Sequence, residues 1–446
     1  MPRVIVVSPP FASHAAPLAA LATALAALGA EVYFACAPEF ADLVQGEGPT
    51  FVPLTVSRNS NTGVAEATRQ PVSEAARLRE FLDATRVGAV PALLTQARHR
   101  RADMLTDPEG VLQSLRALDD QLSPDWYVTD QLSFAVTLAL HCMGAPYATF
   151  CPGHPTYVLA SSDAYFGVPY DWPRAMRPDQ SDADRLLAAA RENDAAFTSK
   201  FDAFARRHAP SAPSPGRAFA LSSPHAVVYA YPDLPWLPDP ARGPVRLHAG
   251  HMVPPGVPAL DVDWSQRLER LRRHTERILL VAFGTFLSAR DDVLRTVVKG
   301  VVDGLPDAGV VVAAGQRSRG LADLASDRAI VAATVPQQAL LQHVDAMVHH
   351  GGGNSFTECL REGVPALVLP FSSDQFAVAR DAERAGVGIV ADPNTLKWTD
   401  IPRALDGLRG PKRDAALSGS VRLRSRGPVW AAERLLRVMA RSVPGR

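Results

Sequence analysis

"MVHHGGGNSFTECLREGVPALVLPFSSDQ", residues 347–375, decides how this chain is read. An apolar run ends in His349 and His350, three glycines follow, and a helical pattern opens near Asn354. A second apolar run, "ALVLP" (366–370), then leads to Asp374 and Gln375. A strand, a glycine loop and a helix in that order let the backbone approach a ligand and leave the first N–H groups of the helix free to meet it. Such a terminus favours an anion by about 0.3–1 kcal/mol, so a phosphate or pyrophosphate is its natural occupant. Asn354 is expected to cap the helix, Ser355 adds a hydroxyl, and His350 supplies a further donor. Packing alone also produces Gly-rich turns of this shape, so the neighbours matter. Glu358 lies one turn on, where its carboxylate either takes two vicinal ribose hydroxyls or is simply solvated. Asp374 and Gln375 offer the acceptor and donor that sugar hydroxyls need, though a polar turn with a helix cap would use the same pair.

Strands alternate with helices on both sides of this segment. The first half begins with strand 3–7, helix 16–28 closed by Gly29, and strand 31–36. It continues with strand 125–130, helix 132–143 closed by Gly144, and strand 147–151. The alternation restarts at 277–285 and runs through strands 309–315, 329–334 and 346–350. This order predicts two doubly wound α/β, Rossmann-like domains facing each other across a cleft, with ligands beyond the carboxyl ends of the strands. The proline-rich stretch between 231 and 260 marks a stiff connection. The expected units are a first domain over 1–235, a linker over 236–262 and a second domain over 263–425. A C-terminal helix over 426–446 is expected to pack back toward the first domain. Residues 55–120 and 152–225 are less regular and read as insertions that rim a pocket.

Composition excludes several classes. Lys plus Arg and Asp plus Glu are 46 each, so no global field favours nucleic acid or an acidic membrane. Four scattered cysteines without a C-x-x-C pair argue against a disulfide scaffold or zinc site and fit the cytoplasm. The Ala-rich stretch 15–30 is flanked by strands and reads as a buried helix, and no apolar run reaches the ~20 residues of a membrane span. There is no G-x-x-x-x-G-K-[ST] and no G-x-G-x-x-G after the first strand, which argues against P-loop ATPases and ordinary NAD enzymes. "DVD" (261–263) imitates a metal motif but lies beside the domain boundary.

"VPQQALLQHVDAMVHHGGGNSFTECLREGVPALVLPFSSDQ" (335–375), "AFGT" (282–285) and "SPPFASHAAPLAALATAL" (8–25) together resemble the family 1 nucleotide-sugar glycosyltransferases of GT-B fold, of the antibiotic and natural-product type. The resemblance implies that the loop at Gly284 and Thr285, together with His350, Gly351, Gly352, Gly353, Asn354 and Ser355, holds the donor pyrophosphate. It places Glu358 on the ribose, Val335, Pro336 and Gln337 beside the base, and Asp374 and Gln375 on the sugar. Thr334 stands where many relatives carry an aromatic for base stacking, which leaves the nucleotide less defined. A glutamate at 358 suits a 2′,3′-diol and so favours uridine over thymidine, and the Asp374–Gln375 pair resembles that of glucose users.

Transfer to a hydroxyl requires a base, and histidine, with a pKa near about 6.5, suits neutral pH. His14 in "SHAAP" resembles the family's catalytic segment, and Asp130, ending strand "WYVTD", resembles its partner aspartate; Asp130 would equally serve as a helix cap. The expected reaction is a single in-line, inverting displacement that needs no metal and no other cofactor. Its partners are a nucleotide-sugar donor, UDP-glucose first, and a small lipophilic acceptor bearing a hydroxyl or an amine. Phe11, His154, Tyr157, Phe166 and Tyr170 are expected to line the acceptor pocket. A nucleotide-sugar epimerase of the same shape and a non-catalytic nucleotide-sugar binder are the alternatives.

Overall fold

The computed structural model describes residues 1–46, 48–56, 61, 72–103, 105–238, 243–253, 256, 259–284 and 287–442. Seven strands form the sheet of the N-terminal lobe: β1 (Arg3–Val7), β2 (Glu31–Cys36), β3 (Thr50–Pro53), β4 (Trp126–Asp130), β5 (Tyr147–Cys151), β6 (Ala226–Tyr229) and β7 (Val245–His248). Their order is β3-β2-β1-β4-β5-β6-β7, and every pairing is parallel. Six strands form the second sheet: β8 (Arg277–Ala282), β9 (Ala308–Ala313), β10 (Ala329–Ala332), β11 (Ala346–His349), β12 (Ala366–Val368) and β13 (Gly388–Val390). They run β10-β9-β8-β11-β12-β13, again all parallel.

Parallel strands are covered on both faces, which is why they read as continuous apolar runs instead of alternating ones. Val4, Ile5, Val6 and Val7 are all fully buried, as are Leu280 and Val281 in the other lobe. The Ala-rich helix Ala12–Ala27 lies against the first sheet with Leu18, Leu21 and Leu25 buried, so its apolarity is that of a core helix. Among the described residues, no helix is long and apolar enough to cross a membrane.

Strand order reverses between β1 and β4 and again between β8 and β11, and ligands of open α/β sheets bind at such switch points. The segments leaving β1, β4, β8, β11 and β12 carry His14, Asp130, Gly284, His350 and Asp374. Topology thus gathers residues far apart in sequence onto two facing sheet edges.

The stretch expected to be only a linker contains β7, which pairs with β6 from Val245 to His248. Proline is tolerated at the first residue or on the open side of an edge strand, so its density near 244 does not prevent pairing. The metal-like "DVD" is a helix start: Asp261 accepts from the Trp264 amide at 2.7 Å, and Asp263 pairs with Arg267 at 2.8 Å. Helix Pro428–Ser442 crosses back to the N-terminal lobe, where Ala431, Ala432, Leu435 and Met439 join the core around Leu18 and Leu25.

The 55–120 insertion contains helices Val72–Val87, Ala89–Asp103 and Pro108–Leu122, and the 152–225 insertion contains the long helix Gln180–His208. Helix Val72–Val87 bridges the lobes: Leu82 is buried with Leu287 and Val293 of the C-terminal lobe. Fully buried Arg290 donates to the Thr85 carbonyl at 3.1 Å, and Asn394 donates to the same oxygen at 3.0 Å.

Candidate active site

Helix Ala12–Ala27 begins earlier than the sequence pattern implies, so His14 occupies its first turn instead of the preceding loop. Asp130 ends β4 on the neighbouring strand and is fully buried. Its Oδ2 lies 2.9 Å from His14 Nδ1, while Oδ1 accepts from the Leu132 amide at 2.8 Å. One carboxylate therefore meets both readings of Asp130, since it orients the histidine and satisfies the turn into helix Phe134–Met143. A carboxylate at Nδ1 holds the proton there and leaves Nε2 as the basic nitrogen. Burial opposes charging of the ring, but the Asp130 carboxylate, aided by Asp374, outweighs it and holds the His14 imidazole above its usual value.

Pro17 brings the other lobe to this point. It has no N–H, so the carbonyl of Ser13, four residues back, lacks its intrahelical donor. Asn354 Nδ2 donates to that carbonyl at 3.2 Å across the cleft. Asn354 therefore does not cap its own helix: Gly353–Glu362 starts from Gly352 in an extended conformation with no side-chain cap bond. The contact sets the start of helix Gly353–Glu362 against the residue before His14.

The strand-to-helix loop depends on glycine at two positions. Gly351 has φ +83°, and a Cβ there would meet the Gln375 carbonyl at 2.9 Å. Gly284 has φ +68°, and its Cβ would meet the His350 ring at 2.7 Å. Burial pushes His350 down to about 4, so it is neutral, and its Nδ1 is a buried polar atom with no protein partner. His349, deeper, accepts from the Gly351 amide at 3.0 Å and braces the loop. Thr285 lies outside the described residues.

Glu358 is buried and points toward the short helix Gln337–Leu341, whose N-cap is Pro336. Gln337 donates to its Oε2, and Gln338 to its Oε1 at 3.3 Å. Gln337 also reaches Ser355 Oγ at 3.4 Å, while Val335 caps the turn by accepting from the Gln337 amide at 2.9 Å. Burial raises the Glu358 carboxyl to about 6 against these two donors. A residue the sequence did not flag also meets it. His251, in the interlobe connection, sets Nε2 3.5 Å from Glu358 Oε1 and bonds Thr357 through Nδ1 at 2.9 Å.

Residues 297–425 match the family model described as the erythromycin biosynthesis protein CIII-like C-terminal domain. Over nearly the whole chain the fold resembles that of the solved glycotransferase of kitacinnamycin (TM-score 0.67, 21% identity, 98% of this chain and 99% of that one). It also resembles glycosyltransferase VinC in complex with dTDP (TM-score 0.63, 23% identity, 99% and 100%). The chain is a GT-B protein. In sequence, glycosyltransferase GtfE of Amycolatopsis orientalis is 24% identical over 424 residues, 91% of this chain and 90% of the relative. A sterol 3-beta-glucosyltransferase of Aspergillus fumigatus is 32% identical over 134 residues, 28% of this chain; the match spans only 9% of that much longer relative.

In this GT-B framework the segment after β12 is tied to the opposite lobe. Asp374 Oδ2 accepts from the His154 amide at 2.8 Å. Gln375 uses its carbonyl on the Phe371 and Ser372 amides, at 2.9 and 3.1 Å, which leaves its NH2 for a ligand. Gln96, on helix Ala89–Asp103, clamps Ser373 with bonds of 2.7 and 3.0 Å.

Two of the expected acceptor contacts are instead part of an interlobe latch. His154 is fully buried, accepts from Thr156 at Nδ1 and meets Asp381 Oδ2 through Nε2 at 2.9 Å. Asp381, also fully buried, takes further bonds from Tyr170, from Tyr231 at 3.0 Å and from Trp236 at 2.7 Å. Burial would raise this carboxyl, but His154, Tyr170 and Trp236 outweigh it and keep it below the usual carboxylate range. Asp381 lies in helix Gln375–Arg384, whose N-cap is Asp374, so the latch fixes Asp374 and Gln375 relative to the first lobe. Asp381→Ala removes the acceptor shared by four side chains, two of them, His154 and Tyr231, fully buried, and a loss of about 3–5 kcal/mol in a urea titration is expected. Tyr170→Phe, which removes one bond, is expected to lose about 1 kcal/mol.

Phe166 is a core residue, packed at 5.7 Å from Phe134 and stacked on Phe219 at 5.0 Å. Tyr157 packs against Phe166 at 4.8 Å. Of the five expected acceptor residues only Phe11 lines the interlobe cavity, which has a volume of about 430 Å³. Its ring lies 5.9 Å from that of His14. Helices Val72–Val87 and Ala89–Asp103 supply Leu78 and Phe81 beside Arg77, His99 and Arg100, and the C-terminal lobe supplies Leu287, Ser372, Ser373 and Gln375. The aromatic loop of 152–172 contributes none of them, and the lining is more polar than its composition implied.

Proposed function

We propose that this chain transfers a sugar from a nucleoside-diphosphate sugar to a hydroxyl of a small acceptor, with inversion at the anomeric carbon. The observation that carries the reading is the Asn354–Ser13 contact, which sets the phosphate-type helix terminus against the segment bearing His14. His14 Nε2 takes the acceptor proton as the acceptor oxygen bonds to the anomeric carbon. The bond from that carbon to the diphosphate oxygen breaks, and the diphosphate leaves with the electron pair. Its growing charge meets the glycine-loop amides, the helix terminus and His350, which were oriented before the reaction began. Asp130 stabilises the imidazolium and fixes its ring. Asp374 and the Gln375 amide hold the sugar, and Glu358 accepts from the ribose in exchange for its Gln337 contact.

UDP-glucose is the donor this reading favours, because Glu358 offers a carboxylate to a 2′,3′-diol. A thymidine diphosphate sugar is the second reading, since VinC was solved in complex with dTDP. An acceptor panel incubated with UDP-glucose or dTDP-glucose and read by mass spectrometry separates them. Glycoside formation in the presence of a chelator is expected with the uridine donor. If neither donor is consumed, with or without acceptors, the transferase reading fails. Retention of anomeric configuration in the product would exclude the single displacement.

A further inference from the structure

The ionisable groups around the interlobe cavity are paired, with one exception. Arg77 is held by Glu74 at 3.2 Å, by Asp103 at 2.9 Å and by the His99 carbonyl at 3.0 Å. His99 meets Glu80 at 2.6 Å, and the same carboxylate takes Arg98 at 2.9 Å. Arg101 is bound by Glu192 and Asn193. Arg100 lines the cavity yet has neither an ion pair nor a hydrogen bond among the described residues. Its guanidinium carbon lies 4.5 Å from the centroid of the Phe166 ring, Tyr157 acts on it electrostatically, and Gly167 packs so close that a Cβ there would meet Nη1 at 2.5 Å. Burial pushes its pKa down, the sign of a cation whose lost hydration is not replaced.

Resting on the transfer reading above, we propose that Arg100 is the anchor of an acceptor subsite for a carboxylate. The fork of a guanidinium matches a carboxylate in two parallel bonds, and an aromatic on one face leaves its N–H edges available. Phe11 places the same cavity beside His14, so an acceptor held at Arg100 by its carboxylate presents its hydroxyl to the base. Leu78, Phe81 and Leu287 leave room between the two for an apolar body. The acceptor class is therefore a hydroxylated, largely apolar carboxylic acid.

The test is equilibrium binding, independent of turnover. Hydroxynaphthoic and ferulic acids are titrated against their methyl esters by calorimetry. The wild-type protein is expected to bind the acids about tenfold more tightly or better, the effect of one charge-assisted pair. Arg100→Gln is expected to reduce the acid-to-ester ratio to about one, and Arg100→Lys to restore part of it. Equal affinity for acid and ester, no binding of any acid, or an undiminished ratio in Arg100→Gln overturns the proposal; should that variant fail to fold, the wild-type ratio still decides. Transfer to the esters without preference for the acids removes the subsite and leaves the transferase reading standing. Preferential binding of acids without consumption of any donor does the reverse.

Discussion

Replacing His14 with alanine is expected to lower kcat by about 10²–10⁴-fold, the range for loss of a positioned general base, and to leave the dissociation constant of the nucleotide nearly unchanged. The separation follows from where the residue sits. His14 belongs to the N-terminal lobe and bonds Asp130 of the same lobe. The loop expected to hold the diphosphate belongs to the other lobe and is shaped by Gly284, Gly351 and His350. The link between them, Asn354 to Ser13, uses a backbone carbonyl that the substitution keeps. Stopped-flow nucleotide binding alongside initial-rate kinetics gives both quantities. Parallel losses in the two would show that His14 belongs to the donor site and not to the base.

The architecture was legible because parallel strands bury both faces. Runs such as "RVIVV" and "RILLVA" have no other stable use between turn signals, and Gly29 and Gly144 mark helix ends by needing positive φ. Edges were less legible. Nothing local in "PVRLHAG" distinguishes an edge strand from a connection, because β7 exists only by pairing with β6. The glycine loop was readable as a unit since its residues are contiguous; the structure sets Gly351 against Gln375. Its details were set elsewhere. Asn354 reads locally as a cap, but a carbonyl freed by Pro17, more than three hundred residues away, takes its amide instead. The surroundings of His154 and Tyr170 were set in the same way, because Asp381, over two hundred positions along the chain, bonds both. In sequence Asp381 is one acidic residue in a charged helix, and Arg100 one basic residue among several. Only the three-dimensional pairing shows which carboxylate is buried and which guanidinium has no counterion.

Asp130→Asn separates the two effects a carboxylate has on a catalytic imidazole, and its pH profile carries the larger part of the information. As a base His14 must be unprotonated, so kcat/KM should fall as pH drops through its pKa. In the wild-type protein that pKa lies above the usual histidine value, because Asp130 and Asp374 outweigh burial. With asparagine the carboxylate is gone and burial, which favours the neutral ring, acts with less opposition; the acid limb must therefore move to lower pH. Activity on the plateau should nevertheless drop by about 10²-fold or more, since an amide neither enforces the Nδ1–H tautomer nor stabilises the imidazolium. The variant would thus be a poorer enzyme over a wider acid range. A limb that stays in place while activity falls would mean that the titrating group is another one, for which Glu358, raised to about 6 by burial, is the structural alternative. Glu358→Gln in the same assay would then remove the limb, whereas with His14 as the base the limb persists and the nucleotide affinity alone declines.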